Sequence, residues 1–336
     1  MNQSETLLEI KDLCVEFKTM AGTVHAVDHL SYTLHRGEKL GIVGESGSGK
    51  SVSSLAMMQL IPNPPGKVTG GQILYNGKDL VKLSEREMQK IRGNEISMIF
   101  QEPMTSLNPI IRCGKQIAES LRLHRGMKKK EAMEEAIKMM QAVGIANPQA
   151  RAYEYPHQMS GGMRQRVMIA MAMSSDPKIL IADEPTTALD VTIQAQILHL
   201  LLELQKKNNM SIILITHDLA VVSQMVDRIN VMYCGKLVET GSTEDIVAFN
   251  AHPYTEGLLN SIPKLYEDRG RLDYIPGMVP NMFELPEGCY FAPRCRYCQD
   301  ICRHQQPVMR EVGPGHLAAC HFPLNKKAAA KTEEGK

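Results

Sequence analysis

Short apolar segments alternate with amphipathic ones along much of the chain. The apolar segments are rich in Ile, Leu and Val and lack a regular polar alternation, which is typical of strands buried on both faces. Strands are predicted at 7–17, 38–43, 71–75, 96–100, 178–182, 211–215 and 229–233. Helices are predicted at 51–60, 190–208 and 219–227. This order predicts an α/β fold with a largely parallel, buried sheet.

Two parts of the chain have a different pattern. Within residues 103–157, the segments 115–123 and 128–142 repeat apolar residues at helical spacing, which predicts an inserted helical subdomain. Pro, Gly and Cys interrupt residues 262–323, which predicts a loop-rich accessory region. The Lys- and Ala-rich tail, 324–336, is expected to be disordered.

Composition excludes several classes of protein. The 336 residues include 38 Lys plus Arg and 37 Asp plus Glu, a net charge of +1, which argues against nucleic-acid binding through bulk electrostatics. The longest apolar run, Val167–Met173, is far shorter than the roughly 20 residues of a membrane-spanning helix. The polar segment Met1–Glu9 lacks the features of a secretory signal, so we expect a cytosolic protein.

The segment Gly44–Ser51 has the complete pattern G-x-x-x-x-G-K-S between a predicted strand and a predicted helix. Its glycines allow backbone N–H groups to surround phosphates, and the helix N-terminus adds positive partial charge. Lys50 is expected to reach the β- and γ-phosphates and Ser51 to bind Mg²⁺. The expected nucleotide contacts are Gly44, Ser46, Gly47, Ser48, Gly49, Lys50 and Ser51.

A second pair of candidate residues follows the strand at 178–182. Asp183 is placed to help hold Mg²⁺, and Glu184 can orient an attacking water. An Asp-Glu pair after a strand is common in itself, so its interpretation depends on the phosphate loop upstream.

The segment from Met159 to Met163 contains Ser-Gly-Gly ahead of a helix, and here the sequence resembles the ATP-binding subunits of ABC transporters. In that family a signature, usually Leu-Ser-Gly-Gly-Gln, clamps a nucleotide across a dimer interface. The matching residues are Ser160, Gly161 and Gly162. Met159 replaces Leu, an apolar exchange, whereas Met163 replaces Gln and has no amide to offer.

Other elements of the family occur in order. Gln101 corresponds to the glutamine that senses Mg²⁺ and the attacking water, and His217 to the switch histidine that contacts the γ-phosphate. Ala188-Leu-Asp190 resembles the D-loop. Phe17 is the best candidate for stacking on adenine, although a core role is nearly as consistent with its sequence position. The resemblance covers about residues 7–250 as an ABC-type P-loop domain.

Residues 251–323 resemble the C-terminal extension of oligopeptide/dipeptide/nickel importer ATPases, through His252-Pro-Tyr254 and the Cys- and Gly-containing segments after 288. The internal motifs are most similar to the D-type branch of dipeptide-permease ATPases. The resemblance implies ATP-driven peptide uptake in bacteria, at the cytoplasmic face of the inner membrane. The implied partners are a second, non-identical ATPase subunit, two membrane permease subunits and an external peptide-binding protein, with no nucleic acid.

Five of the eight cysteines fall within the last 50 residues, and clustered thiols in a cytosolic protein suggest a metal site. Spacing alone leaves tetrahedral zinc and a [4Fe–4S] cluster equally open. The resemblance favours [4Fe–4S], with the spacing C-x5-C-x6-C-x17-C and Cys298 as a spare thiol; free thiols are the remaining alternative. The four expected ligands are Cys289, Cys295, Cys302 and Cys320.

Three other functions fit parts of the sequence. A nickel or other small-solute importer would use the same type of ATPase. A soluble ABC ATPase of DNA repair or translation is disfavoured, because the chain has one ATPase cassette, no long coiled-coil insertion and little net charge. A redox or zinc-binding regulator with a degenerate nucleotide site is disfavoured by Lys50, Asp183, Glu184 and His217.

Overall fold

The computed structural model describes residues 5–102, 106–187, 189–262 and 274–324. The predicted disordered tail lies almost entirely outside this range, as does Ala188. The strands are β1 (Thr6–Thr19), β2 (Gly22–His35), β3 (Lys39–Val43), β4 (Gly66–Tyr75), β5 (Lys78–Asp79), β6 (Ile96–Ile99), β7 (Ile179–Asp183), β8 (Ser211–Thr216), β9 (Arg228–Tyr233), β10 (Lys236–Ser242), β11 (Arg310–Gly313) and β12 (His316–Ala318).

The helices alternate with these strands. They are α1 (Lys50–Met57), α2 (Glu85–Ile91), α3 (Cys113–Arg125), α4 (Lys129–Ala142), α5 (Pro148–Arg151), α6 (Gly161–Ala172), α7 (Val191–Asn208), α8 (Leu219–Ser223), α9 (Thr243–Phe249), α10 (Pro253–Asn260) and α11 (Asp300–His304). Single 3₁₀ turns occur at Leu80–Lys82, Pro156–Gln158 and Ala292–Arg294. Within the described residues, no helix is long and apolar enough to span a bilayer.

The chain divides into two compact units. Apart from the chain's first residues, the first unit contains His35–Glu38 and Lys82–Ile215. The second contains Thr6–Leu34, Lys39–Val81 and the residues from Thr216 onward. The domain boundary predicted after residue 250 therefore falls inside the second unit.

The first unit has a parallel sheet and a helical part. Strands β6, β7 and β8 pair in parallel, with Ile179 opposite Ile96 on one side and Ser211 on the other. All five residues of β7 are buried, which confirms the prediction of a strand covered on both faces.

The helices predicted between 103 and 157 are present as α3 and α4. Ile117 and Leu121 are fully buried on α3, and Ala132, Ala136 and Met140 are fully buried on α4. These i, i+4 spacings place the apolar side chains of each helix along one face, where the two helices pack on each other and on α6.

The second unit departs from the parallel arrangement predicted from the sequence. One sheet contains four strands in the order β2-β1-β4-β5, and β1 pairs antiparallel with β4. Strand β3 pairs in parallel with β9, but β10, β12 and β11 follow as antiparallel neighbours. The antiparallel pairs β9–β10 and β11–β12 each join strands that follow one another along the chain, with a short turn between them. Cys234 and Gly235, both with positive φ, form the turn between β9 and β10.

Within the described residues 274–323, the region predicted to be loop-rich contains regular structure. Its β11–β12 hairpin extends the sheet from β10, with Glu239 opposite Ala318. Buried Glu239 also accepts hydrogen bonds from the His316 imidazole (2.7 Å) and the His252 backbone N–H (3.0 Å). These contacts attach the C-terminal residues to the strand that precedes them.

Candidate functional site

The segment Gly44–Ser51 forms a loop between β3 and α1 in the second unit. Gly44 (φ 157°) and Gly49 (φ 92°) have backbone angles that favour glycine. A Cβ at Gly44 would lie 2.2 Å from the carbonyl oxygen of Met232, and one at Gly49 would lie 2.3 Å from that of Ala26. Both glycines are therefore required by close backbone contacts as well as by conformation.

Lys50 is the first residue of α1, and its side chain turns back over the loop. The residue is 5 % exposed. Its Nζ donates to the carbonyl oxygens of Gly44 (2.7 Å) and Glu45 (2.9 Å) and to Ser48 Oγ (3.3 Å). The loop carbonyls thereby hold the ammonium group at the mouth of the loop, where a phosphate needs a cation.

The other predicted phosphate-loop residues differ in exposure. Ser46 and Gly47 are exposed at the tip, whereas Ser48 is buried. Ser51 lies in the first turn of α1 and is half-buried. The helix N-terminus and its orphan N–H groups are thus next to the Ser51 hydroxyl, as anion and Mg²⁺ binding require.

The predicted carboxylates lie together in the first unit. Asp183 ends β7 and is 4 % exposed. The next residue, Glu184, has a φ of 45°, and its backbone N–H donates to the carbonyl of Ile215 at 2.9 Å. Glu184 therefore lies in a bend at the C-terminal end of β7.

Two neutral donors hold the Glu184 carboxylate. Gln101 Nε2 donates to Glu184 Oε2 at 2.8 Å, and Thr187 Oγ1 donates to the same oxygen at 2.9 Å. The structure therefore brings Gln101 and Glu184 together, although 83 positions separate them. Thr187 was missed by sequence reasoning; its position three residues after Glu184, in a turn, was the available signal.

The signature residues occupy the start of α6, also in the first unit. Ser160 is the N-cap, and its Oγ accepts from the backbone N–H of Met163 at 3.4 Å. Ser160 and Gly161 are exposed, and Gly162 is half-buried. Met159 is 3 % exposed, and its Sδ lies 3.7 Å from Cys113 Sγ. This methionine therefore packs in the core.

Asp190 and His217 lie at the starts of two other helices. Asp190 caps α7 by accepting from the Ile193 N–H at 3.0 Å. His217 is exposed directly after β8, and the following residue, Asp218, caps α8 through the Val221 N–H at 3.0 Å. His217 belongs to the second unit, with Lys50.

Phe17 lies near the end of β1, opposite Gly66 of β4, and is half-buried. A Cβ at Gly66 would come within 2.7 Å of the Phe17 ring. The ring therefore covers the backbone of β4, while part of it stays accessible. This observation accounts for packing and leaves adenine stacking as a prediction.

A small cavity in the C-terminal region is lined by the four cysteines of the predicted spacing: Cys289, Cys295, Cys302 and Cys320. Cys298 instead directs its thiol to the carbonyl of Gln299 at 3.6 Å. Burial raises the pKa of Cys289, Cys295 and Cys320 each to about 11. The metal-free thiols are therefore protonated at neutral pH, and a metal would displace those protons.

Cys14, Asp28 and His29 form a second cluster that sequence reasoning missed. Of the described residues, only these three bring potential metal-ligating atoms within 4.8 Å of one another. Burial opposes the charge on Asp28, but hydrogen bonds from Lys236 (2.9 Å) and Tyr290 (2.8 Å) keep its pKa below the usual value. A lysine ammonium group already compensates this carboxylate, so the cluster does not require a metal.

Comparison with known families identifies both parts of the chain. Residues 27–187 match the family described as ABC transporter. Residues 238–302 match the family described as oligopeptide/dipeptide transporter, C-terminal region. The second match includes α10 and four of the five clustered cysteines.

Curated relatives match over nearly the whole chain. The dipeptide transport ATP-binding protein DppD of Escherichia coli (strain K12) is 50 % identical over 319 residues, which cover 95 % of this chain and 97 % of the relative. The oligopeptide transport ATP-binding protein OppD of Bacillus subtilis (strain 168) is 54 % identical over 312 residues, covering 92 % of this chain and 87 % of the relative.

The fold has a counterpart among solved structures. The ATP-binding cassette MJ0796, solved as a dimer in a post-hydrolysis state bound to ADP and Pi, aligns with a TM-score of 0.64 and 27 % identity. The alignment covers 70 % of this chain and 99 % of MJ0796. The chain therefore belongs to the ABC transporter family of ATP-binding, ATP-hydrolysing proteins, in the group that carries the oligopeptide/dipeptide transporter C-terminal region.

Proposed function

We propose that the chain is the ATPase subunit of a bacterial importer for dipeptides and oligopeptides. The proposal rests on the joint match of an ABC transporter domain and a peptide-transporter C-terminal region in one chain. Relatives of about 50 % identity are named for dipeptide and oligopeptide transport. ATP is its substrate, and hydrolysis is the step that supplies free energy for uptake.

The phosphate end of ATP is bound by the residues of Gly44–Ser51. Lys50 compensates phosphate charge, a role supported by the orientation of its ammonium group over the loop. Ser51, Asp183 and Gln101 hold Mg²⁺, which supplies further neutralisation of the phosphates. Their oxygen donors are of the type that Mg²⁺ prefers.

Glu184 is the general base that orients and deprotonates the attacking water. Its support is the pair of hydrogen bonds from Gln101 and Thr187, which hold one carboxylate oxygen and orient the group. His217 contacts the γ-phosphate from its exposed position after β8, and Phe17 stacks on adenine.

A second nucleotide is contacted by the signature residues Ser160, Gly161 and Gly162, and by Asp190 in the D-loop. Their exposure at the start of α6 suits contact with another subunit, and the phosphate loop already supplies one set of N–H donors. The partner is a second, non-identical ATPase subunit, and ATP binding favours the closed heterodimer.

ABC ATPases of peptide importers work with membrane permeases. We assign this chain to a complex with two permease subunits and an extracytoplasmic peptide-binding protein, on the cytoplasmic face of the inner membrane. The test is uptake by the complete complex in proteoliposomes, with labelled dipeptide, labelled oligopeptide and nickel supplied in parallel. ATP-dependent peptide uptake supports the proposal; uptake of nickel alone would replace it with a metal importer.

We further infer that Cys289, Cys295, Cys302 and Cys320 hold a [4Fe–4S] cluster. All four line one cavity, and this set of soft thiolate ligands suits the cluster, with tetrahedral zinc as the alternative. When bound, the cluster supplies a covalent cross-link between loops that lack a large core.

Anaerobic purification tests the cluster. The protein should contain close to four irons and four sulfides per chain, and Cys302→Ser should lower this iron content strongly. Cys298→Ser is the matched control and should retain the iron, since its thiol points to Gln299. One zinc without sulfide would establish a zinc site, and equal iron loss in both variants would refute the ligand set.

A further inference from the structure

Glu45, the second residue of the phosphate loop, is held by a side chain from the far end of the sequence. Its carboxylate oxygens accept from Arg294 Nη1 at 2.6 Å and Nη2 at 3.0 Å. The side chain of Arg294 is 4 % exposed and that of Glu45 is 30 % exposed. This is a two-point, largely buried ion pair across 249 positions of sequence.

The backbone of Glu45 is held as well. Its N–H donates to the hydroxyl of Tyr254 at 2.8 Å, and its carbonyl accepts from Lys50 Nζ at 2.9 Å. Tyr254 is fully buried on α10. Two residues of the C-terminal region, Tyr254 and Arg294, therefore contact the same residue that helps to position the Lys50 ammonium group.

Arg294 is itself fixed by the elements around it. Its Nε donates to the carbonyl of Pro276 at 3.1 Å, and its Nη1 lies 3.3 Å from the hydroxyl of Tyr233. Tyr233 packs against Tyr254, with ring centroids 4.6 Å apart, and edge-on against Phe291 at 5.3 Å. These contacts hold the guanidinium group beside an aromatic cluster.

A carboxylate in a polyphosphate-binding loop is unfavourable unless it is compensated. The ATP phosphates are strongly anionic. Placing a carboxylate within a few ångströms of them costs electrostatic free energy, and this cost is largest where solvent is excluded. Arginine stays charged at all relevant pH values, and its planar fork matches a carboxylate at two points. Arg294 can therefore both neutralise Glu45 and hold it in place.

We propose that Arg294 is a positioning residue for ATP binding, which acts through Glu45 by cancelling its charge and holding the phosphate loop in its binding shape. The inference rests on the proposed role of Gly44–Ser51 as the phosphate loop. It gives the C-terminal region a direct effect on nucleotide affinity, in addition to its own structural role.

The test measures ATP affinity of the full-length chain by titration with a fluorescent ATP analogue. Arg294→Ala should weaken binding by about 10- to 100-fold, because it leaves the Glu45 carboxylate uncompensated in the loop. Adding Glu45→Gln to that variant should recover most of the affinity, since the repelling charge is then absent. A role in packing alone predicts no recovery in the double variant.

Two controls test whether the effect is specific to Arg294 and whether the loop binds ATP at all. Arg296→Ala removes an arginine two positions away, whose partner is Glu256 at 2.5 Å, and should leave ATP affinity unchanged. Lys50→Ala tests the loop assignment itself: if it binds ATP normally, the proposed phosphate loop is wrong. If Lys50→Ala fails to bind while Arg294→Ala binds normally, only the role of Arg294 is refuted.

If thermal unfolding shows that Arg294→Ala does not fold, the ATP affinity of Arg294→Lys is measured in its place. Lysine keeps the charge but loses the two-point contact, so its ATP affinity should fall by only a few fold. The double variant Glu45→Gln, Arg294→Ala has no unpaired charge and should be more stable than Arg294→Ala. An Arg294→Lys affinity loss as large as that of Lys50→Ala would contradict charge cancellation.

Discussion

Two glutamates that follow strands, Glu45 after β3 and Glu184 after β7, are held in opposite ways. Glu45 is tied at both oxygens by the guanidinium group of Arg294. In Glu184, one carboxylate oxygen accepts from two neutral donors, the Gln101 amide and the Thr187 hydroxyl. A guanidinium group cancels the charge of the carboxylate it pairs with, whereas neutral dipoles orient a carboxylate and leave its net charge in place.

The difference indicates how similar residues acquire different roles. In the roles proposed above, Glu45 is compensated so that its charge does not oppose the phosphates, while Glu184 is oriented so that its charge can act on water. Each arrangement is made within its own unit, and each depends on a partner that is distant in sequence. The following experiments test this contrast in order of expected effect.

Replacing Glu184 by Gln should give the largest effect. The amide oxygen can still accept from Gln101 and Thr187, so the local geometry is retained, but the side chain no longer accepts a proton. ATP hydrolysis by the assembled transporter should fall by about 10²–10⁴-fold while ATP binding persists. Glu203→Gln, at an exposed carboxylate of α7, is the control. A wild-type rate in Glu184→Gln would remove Glu184 as the base.

Acid should destabilise the surroundings of Glu45 through His252. The neutral Nδ1 of this residue caps α10, the helix of Tyr254, by accepting the Tyr254 N–H at 3.0 Å. Burial lowers the pKa of His252 from 6.5 to about 4, an effect that outweighs the nearby Glu239 carboxylate. Between pH 6.5 and about pH 4, His252 is therefore protonated in the unfolded chain but neutral in the folded chain. Stability falls as the pH drops through this interval, because the unfolded chain binds the additional proton.

From pH 7 to pH 5, this group should cost about 2 kcal/mol of unfolding free energy. The measurement is the denaturation midpoint at several pH values. His252→Asn keeps a capping acceptor but does not titrate, so its midpoint should depend less steeply on pH. Equal slopes in the two proteins would show that protonation of His252 is not the cause.

The smallest effect is expected at Thr187. Thr187→Val removes a hydroxyl donor to Glu184 with little change in shape, so the turnover number for ATP should fall by about 3- to 10-fold with an unchanged KM. Thr187→Ser keeps the hydroxyl and should restore the rate. A raised KM with normal turnover would instead place Thr187 in nucleotide binding.

Local sequence patterns accounted for many elements but missed strands β2, β5, β10, β11 and β12. Strand β2 has alternating buried residues, Leu30, Tyr32 and Leu34, which were the available signal. Strand β10 was missed because Glu239 and Thr240 suggest a loop, although both are buried. Glu239 is compatible with a buried strand because it accepts hydrogen bonds from His316 and from backbone N–H groups near His252.

The sequence by itself determined the chemical inventory: the phosphate loop, the Asp183-Glu184 pair, the signature and the cysteine spacing. These are contiguous or regularly spaced patterns, and their chemistry depends on residue type and local conformation. Only the tertiary structure decided which distant groups complete them. Arg294 reaches Glu45, and Gln101 reaches Glu184, because strand pairing and packing bring together residues whose separation in sequence carries no local signal.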